Sequence, residues 1–180
     1  MTSNHEILAS ETPFRGGFFS VEVDTIRLPN GNVAKREFVR HPGAAAVVPL
    51  KDGRVLLVRQ IRHAIGADLL EIPAGKLDVA GEDPADCARR ELEEETGYRP
   101  GTLEPLGAFS TSPGFTDERF HLYLATDLVQ TGPQPEHDGG EPITAEWWAL
   151  DEALDAVIGG TITDAKTVVG IALVRLRGRA

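Results

Sequence analysis

Three glutamates close together in the chain are the residues best suited to chemistry. Glu91, Glu94 and Glu95 fall within one short stretch, and helical spacing would place them on the same side of a helix. Like charges one turn apart destabilise a helix by roughly 0.2–0.5 kcal/mol, and carboxylates near its C-terminus oppose the helix dipole. A divalent cation such as Mg²⁺, which prefers oxygen ligands, would offset both costs. The alternative is a solvated acidic face, which is favoured for such a run taken alone.

The helix that would carry these glutamates has recognisable ends. Asp83 is a good N-cap, Pro84 suits the first helical position, and Gly97 suits a left-handed C-terminal cap. Small and apolar residues recur at helical spacing and predict the face that packs on a sheet, namely Ala85, Ala88, Leu92 and Thr96. Cys87 lies among them and is expected to be packed rather than reactive.

Composition and charge exclude several classes of protein. The chain has 180 residues, enough for one domain with a hydrophobic core or for such a domain with a small appendage. Its net charge of −10 argues against a nucleic-acid partner, because phosphate backbones require a basic surface. The single cysteine suits a reducing compartment. No signal peptide is evident, and no apolar run approaches the roughly 20 residues of a membrane span. We therefore expect a cytoplasmic protein without a membrane partner.

The N-terminal residues predict a small sheet that precedes the main core. Residues 1–13 are polar and are expected to be loose at the chain end. Alternating side chains over residues 17–28 predict a strand, and the turn signal Pro29-Asn30-Gly31 predicts a hairpin with a second strand over residues 32–39. The alternative for this hairpin is a packing appendage without further function.

The remaining residues predict alternating strands and helices. Predicted strands span residues 44–50, 54–61, 68–72, 103–110, 119–127 and 143–148, and the last two predicted helices span residues 150–158 and 165–176. Residues 130–141 are rich in glycine, proline and acidic residues, and they are expected to form one long mobile or functional loop. This order, in which one helix interrupts the strands and two helices follow them, predicts a mixed α/β sandwich.

The three glutamates also belong to a longer sequence pattern. It consists of Glu82, seven residues, Arg90-Glu91-Leu92, one residue, Glu94-Glu95, one residue and Gly97-Tyr98, and it resembles the signature of the Nudix hydrolases. Six residues separate Gly75 from Glu82, one more than is usual in that family, and the extra residue is most simply Ala80 or Gly81. We therefore expect the loop to be altered and the helical carboxylates to be unaltered. The resemblance implies a Nudix-type α/β/α sandwich with a mixed sheet and a small N-terminal antiparallel sheet. It implies an N-terminal β-hairpin dimerisation segment over residues 1–41 and a Nudix hydrolase domain over residues 42–180.

Flanking segments narrow the resemblance to the ADP-ribose pyrophosphatase branch. These segments are RGGFFSVEVD, REFVRHPG, VRQIRH, LLEIPAG, SPGFTDERFHLYLA and DAKT. The branch implies a homodimer that hydrolyses the diphosphate of ADP-ribose to AMP and ribose 5-phosphate, with Mg²⁺ as cofactor and Mn²⁺ as a substitute. The alternatives are a pyrophosphatase for another nucleotide sugar and a non-catalytic nucleotide-sensing Nudix domain. Sensing domains usually lose the signature glutamates, whereas this chain keeps all of them.

The resemblance also implies roles for individual residues. Ala74 would bind a metal through its carbonyl, with Glu91 and Glu95 as carboxylate ligands and Glu94 holding a further metal or its water. Arg90 would orient these glutamates. The residues implied in substrate binding are Phe18, Phe19, Arg36, Glu37, Arg62 and Lys76. One phenylalanine of the pair would stack on adenine, because alternation in a strand turns the two rings to opposite faces; for the charged residues the alternative is an exposed salt bridge.

The general base is expected in the loop that precedes the strand containing Trp147. Glu141 is the first choice, as base or as metal ligand. Asp138 and Glu136 are the alternatives, because Gly139 stands where some relatives carry the base.

Overall fold

The computed structural model describes residues 5–133, 135, 137, 138 and 141–178, the side chains of residues 137, 138 and 141 excepted. The strands are β1 (Glu6–Arg15), β2 (Ser20–Arg27), β3 (Val33–Arg40), β4 (Ala44–Lys51), β5 (Arg54–Arg62), β6 (Ala67–Glu71), β7 (Ala74–Lys76), β8 (Tyr98–Arg99), β9 (Thr102–Ser110), β10 (Arg119–Thr126), β11 (Val129–Gln130), β12 (His137–Asp138) and β13 (Glu141–Ala149). The helices are α1 (Pro84–Thr96), α2 (Leu150–Ile158) and α3 (Ala165–Leu176).

The chain divides into two units. The N-terminal unit comprises the chain up to Gly43 together with Ser110–Arg119, and the main unit comprises Ala44–Phe109 and the chain from Phe120 onward. The N-terminal unit contains an antiparallel sheet in the order β1-β2-β3. The predicted turn between β2 and β3 is confirmed, because Gly31 has a φ of 85° and its amide donates to the Leu28 carbonyl at 2.9 Å.

Strand β1 corrects the expectation of a loose N-terminal segment over residues 1–13. From Glu6 onward the chain pairs with β2. The register of this pairing shifts between Ile7 and Ala9 and again between Glu11 and Phe14. Such irregularities interrupt the two-residue period of a strand, which is why the alternation of side chains did not reveal it.

The positions of Phe18 and Phe19 also differ from the expectation. Strand β2 begins at Ser20, and the two phenylalanines lie in the tight turn before it, where the Gly16 amide donates to the Phe19 carbonyl at 2.8 Å. Their rings meet edge to face, with centroids 5.2 Å apart. The expectation that alternation turns the two rings to opposite faces is therefore wrong, because neither residue is in a strand.

The main unit is built around β4, whose side chains are buried on both faces. The sheet order is β12-β13-β5-β4-β10-β9, with β6 paired to β5, β7 paired to β4, and β10 parallel to β4. On one face Ala45 and Val47 pack in the cluster that includes residues of α1. On the other face Ala46 and Val48 pack with α2 and α3. The predicted α/β/α sandwich with a mixed sheet is confirmed.

The last two helices have the predicted bounds. Asp164 caps α3 by accepting a hydrogen bond from the Thr167 amide at 3.0 Å, and Gly159 follows α2 as expected. Within the described residues, no helix combines the length and the apolar character needed to cross a membrane.

The expectation of one continuous loop over residues 130–141 is wrong. Gln130 belongs to β11, which pairs with β8, and β12 pairs with β13. Strands of two residues contain no periodic pattern, so the sequence alone gave no sign of them.

Candidate active site

Helix α1 presents the three glutamates because capping residues fix both of its ends. The Asp83 carboxylate accepts a hydrogen bond from the Ala85 amide at 2.8 Å, and Gly97 ends the helix with a φ of 75°. A Cβ at Gly97 would lie 2.8 Å from the Pro133 carbonyl oxygen, so the backbone passes too closely for a larger residue. The predicted helix and both caps are confirmed.

The buried face of α1 determines how far each glutamate reaches solvent. Ala88 and Leu92 are fully buried, which anchors the helix on the sheet. Glu95 lies next to this face and is only 2% exposed, whereas the side chain of Glu94 is 54% exposed. Glu91 lies between these extremes and is largely buried. The helix thus offers a graded set of carboxylates along one side.

Strand β7 lies directly against two of these carboxylates. The Ala74 amide donates to Glu95 Oε2 at 3.3 Å. A Cβ built on Gly75 would lie 1.8 Å from Glu91 Oε1, so the absence of a side chain at position 75 is what leaves room for the Glu91 carboxylate. The pairing of β7 with β4 fixes the strand from its other side. Ala74, Gly75, Glu91 and Glu95 therefore form one packed group.

Arg90 ties the glutamates of the signature together. Its Nε and Nη2 donate to the Glu82 carboxylate at 2.9 and 3.0 Å, and its Nη1 donates to Glu91 at 2.7 Å and to Glu94 at 2.9 Å. The hydrogen bond with Glu82, followed by those with Glu91 and Glu94, raises the pKa of Arg90, and Arg90 lowers the pKa of Glu82. These contacts are compatible with the orienting role implied for Arg90, which stays a prediction.

The extra residue of the signature loop is absorbed in a turn. The Glu82 amide donates to the Val79 carbonyl at 3.1 Å, and Gly81 has a φ of 80°, which favours glycine. Glu82 still reaches Arg90 from this turn. The extra residue therefore changes the loop and leaves the contact between loop and helix in place.

The chemistry of these groups fits a hard divalent cation. The carboxylates of Glu91, Glu94 and Glu95 and the Ala74 carbonyl offer oxygen ligands only, which Mg²⁺ prefers. The space at Gly75 allows the Glu91 carboxylate to lie against the strand that carries this carbonyl. In the part of the chain that the structure describes, no three His, Cys, Asp or Glu side chains are grouped closely enough to enclose an ion. Glu91 and Glu94 are instead paired with Arg90.

Arg62 lies at the end of β5 in an ion-pair network that the sequence did not reveal. Its Nε and Nη2 donate to Glu71 at 2.6 and 2.7 Å. Glu71 also pairs with Lys166, and Lys166 pairs with Asp164 at 3.0 Å. A glutamate between the apolar residues Leu70 and Ile72 was the available signal, because a buried charge requires a partner.

Lys76 ends β7 and is exposed, two residues beyond Ala74. The other residues implied in substrate binding belong to the N-terminal unit. Arg36 and Glu37 lie on β3, where both are exposed, and Arg36 Nη1 donates to the Lys35 carbonyl at 2.9 Å. Phe18 is exposed, and its ring meets the His41 ring edge to face at 5.5 Å.

Two cavities of the N-terminal unit share Phe19 and His41. One has a volume of about 330 Å³ and is also lined by Val39 and Phe115. The other has a volume of about 460 Å³ and also includes Phe18 and Arg40. Apolar rings beside polar groups are suited to a flat base with polar edges. His41 was not among the residues that the sequence implied in substrate binding.

Asp117 joins the segment Ser110–Arg119 to β3 within the N-terminal unit. Its carboxylate accepts from Arg40 Nη1 at 2.5 Å and from the His41 amide at 2.9 Å. Burial by itself would raise the pKa of Asp117, but these hydrogen bonds more than offset burial, and the pKa lies below its usual value. The network fixes His41 beside the cavities.

The three candidates for the general base are only partly described. Glu136 lies outside the described residues, as do the side chains of Asp138 and Glu141. The backbone pairs Asp138 with Glu141 across β12 and β13, and β12 approaches α1.

Comparison with known proteins identifies the family. The profile described as NUDIX domain matches residues 39–168. The chain belongs to the Nudix family. A second profile, described as nucleoside diphosphate sugar hydrolase N-terminal domain, matches residues 6–39 of this Nudix protein.

Individual relatives span most of the Nudix protein. It is 42% identical to the ADP-ribose pyrophosphatase of Bacillus subtilis (strain 168), over 94% of this chain and 92% of the relative. It is also 42% identical to the methanol dehydrogenase activator of Bacillus methanolicus, with the same coverage of both chains. A solved structure named ADP compounds hydrolase is 27% identical, with a TM-score of 0.83, and the alignment covers 100% of this chain and 99% of the other.

Proposed function

We propose that this Nudix protein hydrolyses the diphosphate of ADP-ribose to AMP and ribose 5-phosphate, with Mg²⁺ as cofactor and Mn²⁺ as a substitute. The observation that carries the proposal is the packing of Glu91 and Glu95 of α1 against Ala74 and Gly75 of β7. The match to a nucleoside diphosphate sugar hydrolase N-terminal domain and the name of the Bacillus subtilis relative support this substrate class.

The residues around β7 would hold the cation. Ala74 offers its carbonyl, and Glu91 and Glu95 offer carboxylates, with Glu94 available for a further ion or its water. A bound divalent cation neutralises diphosphate charge and lowers the pKa of a water molecule beside it. Arg90 orients the carboxylates and limits their mutual repulsion through its bonds to Glu82, Glu91 and Glu94.

A carboxylate before or at the start of β13 would remove the proton from the attacking water. Glu141 is the first candidate, with Asp138 and Glu136 as alternatives. Each is replaced by its amide, and kcat is measured against Mg²⁺ concentration. A loss of kcat at saturating Mg²⁺ identifies the base, whereas a higher Mg²⁺ requirement identifies a metal ligand. If Glu141→Gln has wild-type kinetics and the amide variant of Asp138 or Glu136 loses kcat, the base is assigned to that other residue.

The substrate-binding residues have distinct tasks in this proposal. Phe18 or Phe19 stacks on adenine, which the cavities beside both rings favour. Arg62 and Lys76 bind the diphosphate. Arg36 and Glu37 contact the remaining parts of the substrate.

We propose that the protein acts as a cytoplasmic homodimer. The buried free thiol of Cys87 is compatible with a reducing compartment. The exposed apolar residues of β1 favour a second copy of the chain as partner.

The decisive experiment is a substrate panel with purified protein and Mg²⁺. The panel contains ADP-ribose, ADP-glucose, GDP-mannose, NADH, diadenosine polyphosphates and nucleoside triphosphates. We expect the highest kcat/KM for ADP-ribose, with AMP and ribose 5-phosphate as products. Preference for another nucleotide sugar would correct the substrate, and binding without turnover of any compound would favour a nucleotide-sensing domain.

Glu95→Gln serves as the matched control for the panel. This change keeps the size of the side chain and removes its charge, so we expect turnover to fall by about two orders of magnitude or more while the fold persists. Full wild-type activity in excess chelator would contradict the role of the cation.

A further inference from the structure

Glu71 is a buried carboxylate that joins two distant parts of the main unit. Its side chain is 1% exposed at the end of β6. It accepts two hydrogen bonds from Arg62 of β5 and pairs with Lys166 in the first turn of α3. A carboxylate in such a place costs several kcal/mol unless it is fully paired, so two cations on Glu71 indicate a tightly constrained group.

The contact with Glu71 occupies only one edge of the Arg62 guanidinium. The bonds of 2.6 and 2.7 Å come from Nε and Nη2. Among the described residues Nη1 makes no hydrogen bond, and 41% of the Arg62 side chain is exposed. A guanidinium that is fixed along one edge and open along the other is prepared to bind an oxyanion with little further loss of freedom.

Glu71, the partner of Arg62, lies shortly before Ala74 of β7 in the chain, and β7 contacts the carboxylates of α1. Hydrogen bonds to Glu71 raise the pKa of Arg62, and the negative charge of Glu95 acts in the same direction. The chain from Glu71 leads directly to Ala74, whose amide donates to Glu95. The Ile72 amide donates to Thr167 Oγ1 at 2.8 Å, which fixes this connection against α3.

We propose that Glu71 and Lys166 are positioning residues that hold Arg62 so that its Nη1 edge meets the diphosphate of the substrate. Glu71 fixes the Nε–Nη2 edge, and Lys166 keeps the Glu71 carboxylate in place from the side of α3. This inference rests on the proposed function, because the diphosphate is the anion that Arg62 would meet. It gives the DAKT segment, which contains Lys166, a role in binding substrate at a distance.

A double-mutant cycle tests whether Glu71 acts through Arg62. The variants are Glu71→Gln, Arg62→Met and the double variant, with KM and kcat measured for ADP-ribose. We expect each single change to raise KM by roughly tenfold or more, as for the loss of a charged hydrogen bond. We expect the double variant to be no worse than Arg62→Met alone. If the increases in KM of the two single variants multiply in the double variant, Glu71 does not act through Arg62 and the proposal is overturned.

Lys166 is tested with a conservative rescue and a control on the same helix. Lys166→Met should raise KM, and Lys166→Arg should restore most of the loss because it keeps the charge. Arg175→Met removes an exposed ion pair with Asp151 and should leave KM unchanged. Equal KM values for Lys166→Met and wild type would overturn the role of Lys166. If Glu71→Gln does not fold, Lys166→Met and Lys166→Arg are combined with Arg62→Met in the same cycle.

Binding of ADP and adenosine without metal separates this inference from the proposed function. Calorimetry should show that wild type prefers ADP and that Arg62→Met and Lys166→Met lose that preference. This measurement does not depend on hydrolysis of ADP-ribose. An inactive wild type that retains the ADP preference would contradict the proposed substrate alone, whereas unchanged ADP binding in both variants would overturn the positioning role.

Discussion

At the scale of single residues, the absence of a side chain at Gly75 determines where a carboxylate of the candidate site can lie. Its position leaves room for the Glu91 carboxylate, and a Cβ would lie 1.8 Å from Glu91 Oε1. We expect Gly75→Ala to displace this carboxylate, because the strand is fixed by β4 on its other side. The Mg²⁺ concentration for half-maximal rate should rise about tenfold or more.

Gly132→Ala is the matched control, because a Cβ at that position would have no heavy atom within 4 Å. Its Mg²⁺ requirement should equal that of wild type. An unchanged Mg²⁺ requirement in Gly75→Ala would show that Glu91 does not need this space to hold the cation.

Cys87 provides a prediction about reactivity. Burial raises the pKa of its thiol to about 12, and the nearby charges of Glu91 and Glu82 act in the same direction. The thiolate is the reactive form, so at about pH 8 the folded protein should resist alkylation by iodoacetamide, and reactivity should appear only as the pH approaches the raised pKa. Mass spectrometry should detect one alkylated cysteine after denaturation. Rapid labelling of the folded protein would contradict the packed position.

At the scale of elements, a sequence reveals interactions between residues that are close in the chain better than interactions between residues that are far apart in it. The ends of α1 were predictable because Asp83 and Gly97 act on backbone groups a few residues away. The role of Glu71 was not predictable, since its partner Lys166 lies 95 residues later in the chain. For the candidate site, residue types and spacing therefore identified the carboxylates but not the network that holds Arg62.

Thr167 gives a test of how α3 is attached to the strand that leads into the site. Its buried Oγ1 accepts from the Ile72 amide at 2.8 Å and donates to Asp164 at 2.6 Å. Thr167→Val keeps the shape and leaves a buried amide without its acceptor, which should lower the free energy of unfolding by about 1–3 kcal/mol. Urea denaturation measures the change.

Thr161→Val is the control for this loss, because Thr161 is exposed. Its effect should stay within about 0.5 kcal/mol, as for other surface substitutions. Equal losses in both variants would show that the bond between Thr167 and Ile72 contributes no specific stability.

At the scale of the whole molecule, the order of strands and helices was sufficient to predict the fold class. The sequence did not reveal that Ser110–Arg119 belongs to the N-terminal unit. That segment is held by Asp117, which bonds to Arg40 and His41 more than 70 residues earlier. Such long-range pairing of charged groups has no local pattern, whereas the alternation that predicts a strand does.

The last prediction concerns assembly. All ten residues of β1 are exposed, and they include Ile7, Leu8 and Phe14. A small sheet cannot bury apolar residues on both faces by itself, and exposed apolar groups on an outer strand invite a second chain. We expect a homodimer in which the N-terminal unit packs on the partner and completes its adenine site. Sedimentation should give about twice the chain mass of 19.4 kDa.

Ile7→Glu tests the interface, and Ile158→Glu is its control on α2 of the main unit. The two side chains are 61% and 76% exposed, so neither change should disturb a core. A charge at position 7 would be buried without a partner in the dimer, so we expect Ile7→Glu to sediment as a monomer and to lose activity. Ile158→Glu should remain dimeric and active. A wild-type protein that sediments as a fully active monomer would contradict the shared adenine site, because each chain would then supply every group that the reaction needs.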